Sequence, residues 1–311
     1  MALKWLCGTL PLDELTRGDS TLACEPWEVL WLPTFGKKRI PASSTGSGRC
    51  RLSLPPSSNP ASPGFFSRKV VAEFPRSHDT ADYLGEADAD DGHRYYLKGD
   101  TGGRPIRASE WMGTFLAETV GIAAPHGTVI QRPNGDLVYG SRRIIGVADH
   151  MITRVYLATA SLSNAPDRVL GLSSILSSIY ALDLFIFNDD RHLGNYLSVD
   201  DNGVRRFYAY DFSRSFFWRW PWQGVPEPHQ HTVTMGRAIR AMHGFDLLAA
   251  KTTLDRVEAV STAQIEAELL RFPADWLPPP LREEFIAWWS STARTDRVQE
   301  IKEGVENGTY L

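Results

Sequence analysis

Residues 182–217 read LDLFIFNDDRHLGNYLSVDDNGVRRFYAYDFSRSFF. An apolar run breaks into Asn188-Asp189-Asp190-Arg191-His192-Leu193-Gly194-Asn195, and a polar turn then leads through Arg206-Phe207-Tyr208-Ala209-Tyr210 to Asp211-Phe212-Ser213. Three oxygen donors, Asp190, Asn195 and Asp211, fall in one short unit, with a hairpin expected around Asp201-Asn202-Gly203 between the last two. That set suits phosphoryl transfer. One carboxylate orients an attacking hydroxyl, while an amide oxygen and a second carboxylate hold the magnesium that neutralises the phosphates. A D-x-x-x-x-N spacing alone is usually a capped turn. Its position after a buried helix and before a strand ending in Asp211 is what makes it informative.

Upstream, 70–74 reads as a strand, Asp90-Asp91-Gly92 as a turn, and 93–98 as a second strand ending in Lys98. Trp111, Met112, Phe115, Leu116 and Val120 recur at helical spacing over 108–120, and Gly121 stops that helix. Two short β runs flank Pro133-Asn134-Gly135-Asp136, a hairpin signal, so 66–145 reads strand, strand, helix, strand, strand. Gly102-Gly103 is a connector turn. Beyond this the chain turns helical. Residues 169–187 are apolar nearly all round, as in a buried central helix. Three further helices are expected near 234–251, 262–272 and 279–305, and the aromatic run 216–222 is expected to pack against them.

In this setting the pattern Asn188-x-Asp190-x-His192-x-x-Asn195 followed by Asp211 resembles the HipA-like kinases. The string Asp-Arg-His-Leu-Gly-Asn is similar also to the catalytic loop of phosphatidylinositol kinases. The resemblance spans roughly 66–305 and implies an α+β, bilobal protein-kinase-like fold. A small lobe of mixed sheet plus helix would occupy 66–145, and a mainly helical lobe 146–311. It implies ATP and Mg2+ as cofactors, Asp190 as the catalytic aspartate, and Asn195 and Asp211 as metal ligands. Lys98 would bind the nucleotide phosphates with Glu110 as its ion-pair partner; Glu118 lies on the same helix and competes for that role. Arg142 and Arg143 fall in the segment 140–144, expected to meet adenine through its backbone, and His192 supports the loop beside the nucleotide. Ser213 stands where many kinases have glycine, and no Gly-x-Gly-x-x-Gly precedes Lys98; Gly85 and Gly92 there have acidic neighbours.

Three functions fit that resemblance: a serine/threonine protein kinase with itself among the candidate substrates, a lipid or small-molecule kinase, and a nucleotide-binding pseudokinase serving as an interaction module. A regulatory partner is left open. His229, His231 and His243 lack the acid or Cys that would complete a zinc site. A Ser-His-Asp hydrolase lacks its Gly-x-Ser-x-Gly.

The net charge of -4 provides no general attraction to nucleic acid. Three Cys, at 7, 24 and 50, form no metal or disulfide framework and suit a reducing cytoplasm. The start is poor for a signal peptide, and no run is long enough to span a membrane. Residues 1–64 are expected to be a poorly ordered extension rich in Ser, Pro and Gly; between residues 30 and 72 the chain carries basic residues and no acid.

Overall fold

The computed structural model describes residues 66–76, 82–159, 171–201 and 204–311; the expected disordered extension 1–64 lies outside them, as do the three Cys. β1 (Ser67–Phe74), β2 (Tyr83–Ala89), β3 (Arg94–Lys98), β4 (Gly127–Gln131) and β5 (Leu137–Arg142) close into a barrel in the order β1-β2-β3-β5-β4. β1 runs parallel to β4, and the other pairs are antiparallel. The expected small mixed sheet is thus a closed one.

β2 is the strand missing from the sequence reading. Its inward positions are Tyr83, Gly85, Ala87 and Ala89, and its outward ones Leu84, Glu86 and Asp88. Small and acidic residues have low strand propensity, yet the interior of a barrel of few strands has room for little more. Gly85 sits at an irregularity in the β2–β3 register with φ 125°, and a Cβ there would stand 2.5 Å from the Phe74 carbonyl oxygen. The acids face outward: Asp88 accepts from Arg94 Nε at 2.7 Å. Ala87, Ala89, Tyr95, Leu97, Ile130 and Val138 fill the barrel as a small core of their own.

After β3, Gly102 and Gly103 both take positive φ in the turn that bridges Thr101 to Arg104, the expected connector. α1 (Ile106–Val120) follows and ends at Gly121 in the left-handed region, where the Ile122 N–H closes on the Ala117 carbonyl at 2.8 Å. Trp111, Met112 and Leu116 carry α1 into the main core, which continues through the helical half.

That half holds α2 (His150–Thr159), α3 (Leu172–Phe185), the hairpin of β6 (Tyr196–Asp201) and β7 (Val204–Ala209), then α4 (His231–His243), α5 (Leu247–Ala259), α6 (Thr262–Leu269), α7 (Pro279–Ser290) and α8 (Thr292–Glu306). α3 is central, as its all-round apolar pattern requires, and packs on α4, α5 and α8. Five helices stand where three were expected, because local chemistry interrupts the long patterns. Gly244, at φ 75°, ends α4, and Asp246 caps α5 by accepting from the Ala249 N–H at 3.0 Å. Ser291 is extended and serves two helices at once: it terminates α7 and caps α8 through the Ala293 N–H. α2 had no place in the sequence reading. The aromatic run packs on α7 as expected, with Phe217–Phe285 and Trp222–Trp288 centroids each 5.1 Å apart. Among the described residues no helix is long and apolar enough to cross a membrane.

α1 meets the segment after Asp211 at a single bare position. A Cβ on Gly113 would stand 2.4 Å from Phe212 Cβ, so the two backbones approach only because the methyl is missing. Gly113→Ala is expected to overpack this contact and cost about 1–3 kcal/mol, read as a fall in the thermal midpoint.

Candidate active site

The loop between α3 and β6 is built around one buried cation. Arg191, with no exposed surface, donates Nε to Asp183 Oδ2 at 2.8 Å and Nη2 to Asp183 Oδ1 at 2.9 Å. Its Nη1 donates to the Asn195 carbonyl at 2.9 Å and the Tyr210 carbonyl at 2.5 Å. One guanidinium therefore joins α3, the loop and the end of β7. Asn188 Nδ2 donates to the same Asp183 carboxylate at 2.8 Å, and Thr232 Oγ1 donates to the Asn188 carbonyl while accepting from the Arg191 N–H. Phe187, at φ 51°, turns the chain out of α3 into this network.

The loop holds its polar side chains in definite places. Asn195 Nδ2 donates to the Asp190 carbonyl at 3.0 Å, which leaves the side-chain oxygen as the group it can offer a ligand. His192 Nδ1 accepts from the Gly194 N–H at 2.9 Å, and burial holds the ring's pKa below its ordinary value despite the pull of Asp190. The side chain expected beside the nucleotide thus closes the loop's own turn. Asp190 Oδ1 accepts from Nδ1 of His231, the first residue of α4, at 2.6 Å.

Lys98, at the end of β3, brings the separate parts together. Its Nζ lies 2.5 Å from Glu110 Oε1 on α1, 2.7 Å from Asp211 Oδ1 after β7, and 3.6 Å from Asp82 Oδ2. Glu118 is exposed and lies 3.8 Å from His126, so the lysine's partner on α1 is Glu110. Burial opposes the lysine's charge, but Asp211, Glu110 and Asp82 outweigh it and hold the ammonium's pKa well above the ordinary lysine range. Burial pushes Glu110 up to about 7 against the pull of Lys98. Asp211 goes the other way: the lysine and the Ser213 hydroxyl overcome its burial and hold it well below the usual carboxylate range. Ser213 Oγ donates to Asp211 Oδ1 at 2.7 Å, and Asp211 itself sits at φ 64°.

Asn195 and Asp211 are hard oxygen donors, one neutral and one anionic. Magnesium commonly takes one or two protein oxygens and completes its shell with water and phosphate, so this pair fits it. Among the described residues no group of three or more His, Cys, Asp or Glu is placed to hold a metal: His231 is engaged with Asp190, and His243 Nε2 meets the Leu157 carbonyl at 2.8 Å.

Arg142 and Arg143 lie at the end of β5 and just beyond it. Arg142 closes β5, its N–H bonded to the His126 carbonyl at 2.9 Å, and the Arg143 N–H bonds to the Arg94 carbonyl at 2.8 Å. Both N–H groups are thus used within the barrel. The sequence reading also missed Asp183, Arg191, His231 and Asp82. For the first two a signal existed: Asp183 is the one charged residue of α3, and a buried carboxylate requires a cation.

No protein-family model matches the chain, and no curated protein matches it. Among solved structures it is similar to the Helicobacter pylori proinflammatory kinase CtkA, with a TM-score of 0.48 and 10% identity over 75% of this chain and 95% of that one. It is similar also to the Shewanella oneidensis MR-1 toxin–antitoxin complex of HipA, HipB and operator DNA, at TM-score 0.42 and 11% identity over 71% of this chain and 59% of that one. A third is WaaP in complex with acyl carrier protein, at 0.35 and 12% over 69% and 88%.

Asp183→Ala would strand the Arg191 charge in the core and is expected to cost about 3–5 kcal/mol, read as a lower midpoint in urea. The double variant Asp183→Leu/Arg191→Met removes both charges and should recover part of that loss.

Proposed function

We propose that the chain is an ATP- and Mg2+-dependent kinase that transfers a phosphoryl group to the hydroxyl of serine or threonine in proteins, itself included. In this reading 66–145 forms the nucleotide-covering lobe and 146–311 the helical lobe. The observation that carries it is the Lys98 ammonium, bonded at once to a carboxylate from α1 and to one from the segment after β7. A lysine so fixed presents its charge to phosphate at a set position rather than sampling rotamers.

Each residue has a task its placement suits. Glu110 holds Lys98 from the buried side, and Lys98 grips the nucleotide phosphates. Asn195 and Asp211 hold the cation, whose charge offsets that of the phosphates. Asp190, steadied by His231, accepts the hydrogen bond of the acceptor hydroxyl and takes its proton as the new P–O bond forms and the bond from the γ-phosphorus to the departing ADP oxygen breaks. Arg191 touches no reactant; it holds the Asn195 and Tyr210 carbonyls, and with them the two metal ligands, in register. In this reading adenine meets the backbone of the 140–144 segment, in which the Arg142 and Arg143 N–H groups are already bonded to the His126 and Arg94 carbonyls.

Asp190→Asn is expected to lower phosphotransfer by about 10²–10⁴-fold with an unchanged thermal midpoint. The assay is transfer of labelled phosphate from ATP with Mg2+, to the protein alone and to cell lysate. Labelled protein bands support the reading, labelled lipid or small molecules replace its acceptor class, and near-wild-type transfer by the variant overturns the role of Asp190. His231→Ala, which frees the Asp190 carboxylate, should lose about tenfold or more in kcat while KM for ATP stays constant.

A further inference from the structure

Three arginines gather beside the catalytic loop, outside the set assigned above. Arg214 and Arg219 each place Nε on Asp189, at 2.8 and 3.0 Å, and that carboxylate is fully buried beneath them. Arg104 comes from the turn ahead of α1. Its Nη1 donates to the Trp218 carbonyl at 2.6 Å, and its guanidinium carbon lies 5.0 Å from the Trp218 ring centroid. The Arg214 guanidinium lies at the same 5.0 Å from that ring. Trp218 therefore gathers two of the cations, and Asp189 joins the third to them.

Satisfying a buried carboxylate takes one guanidinium fork. Here two guanidinium groups share Asp189 and a third, that of Arg104, lies against Trp218, which leaves the cluster positive. The side chains of Arg214 and Arg219 are 39% and 45% exposed, so solution anions reach them. The cluster is also close to the chemistry. Asp189 directly precedes Asp190, and Arg214 lies within electrostatic reach of both Asp190 and Asp211. Asp189 and Asp190 are chain neighbours, about 3.8 Å apart at Cα, so the cluster and Asp190 are anchored side by side on one loop.

We propose that Arg104, Arg214 and Arg219 form an anion-binding subsite for the phosphoryl acceptor, and that the preferred acceptor is a serine or threonine with a phosphorylated or acidic residue beside it. The inference rests on the kinase reading above. Arginine suits the task because its planar fork matches phosphate and carboxylate in a bidentate way. The subsite also spans two parts of the chain, since Arg104 precedes α1 while Arg214 and Arg219 follow Asp211. A bound anion would tie the entry to α1 to the segment that carries the metal aspartate.

The test uses the full chain, treated with phosphatase so that no phosphate of its own fills the cluster. Matched fluorescent peptides carry one serine flanked by either phosphoserine or alanine. Binding is read by anisotropy, and transfer by kinetics with ATP and Mg2+. The wild type is expected to bind the phosphoserine peptide about tenfold tighter or more. Arg104→Gln leaves Asp189 paired, and it should erase most of that preference by raising KM for the phosphoserine peptide without changing kcat or the KM of the alanine peptide. Arg219→Gln, with Arg214 still on Asp189, should do the same. Transfer to both peptides with no preference, or a preference that survives in both variants, overturns the subsite. Tighter binding of the phosphoserine peptide without transfer to any acceptor overturns the kinase reading instead.

Discussion

A guanidinium group without access to water must find a counter-charge and a partner for its N–H groups, and the centre of this protein is arranged around how Arg191 does so. Asp183 supplies the charge from within an apolar helix, and the carbonyls of Asn195 and Tyr210 take what remains. Each of those carbonyls belongs to a residue at or next to a candidate metal ligand. The positions of Asn195 and Asp211 are therefore consequences of neutralising a buried charge, and no flexible loop has to be ordered to bring them together. Thr232 and Asn188 close the network from α4 and from the end of α3, so neither helix can shift without leaving a buried polar group unpaired.

Lys98 imposes a second constraint of the same kind on a larger scale. The barrel delivers it, α1 delivers Glu110, and the segment after β7 delivers Asp211. A single ammonium serving carboxylates from distant parts of the chain makes their relative placement one condition. The two acids respond oppositely. Burial raises the pKa of Glu110, the deeper, while Lys98 and the Ser213 hydroxyl hold that of Asp211 down. Gly113 permits this closeness, because α1 can approach Phe212 only where it has no side chain.

The parts of this arrangement legible in the sequence were those whose chemistry has a fixed order along the chain. Asp190, Asn195 and Asp211 declare themselves as oxygen donors on either side of a hairpin, and the structure places Lys98 and Glu110 against the last of them. Glu110 and Glu118 are separated by helix geometry: eight residues carry a side chain about 12 Å along the axis, out of reach of Lys98. β2 was hidden because three of its inward residues, Gly85, Ala87 and Ala89, are small and have low strand propensity. The helix boundaries at Gly244 and Ser291 depend on single backbone conformations inside otherwise continuous patterns. His231 lies 41 residues beyond Asp190, and nothing local marks it as that residue's neighbour. Arg191 was in plain view within the motif, but its role became visible only through the burial of its partner.

The parallel pairing of β1 with β4 has a consequence for how this end of the molecule meets other chains. A sheet that closes on itself offers no row of unpaired amides, the feature through which open sheets recruit an extra strand or aggregate edge to edge. Along Ser67–Lys69, where β1 pairs with β4, strand addition has no edge to use. Recognition there falls to side chains, and a side-chain surface can be altered one residue at a time without unpicking a ladder of backbone bonds.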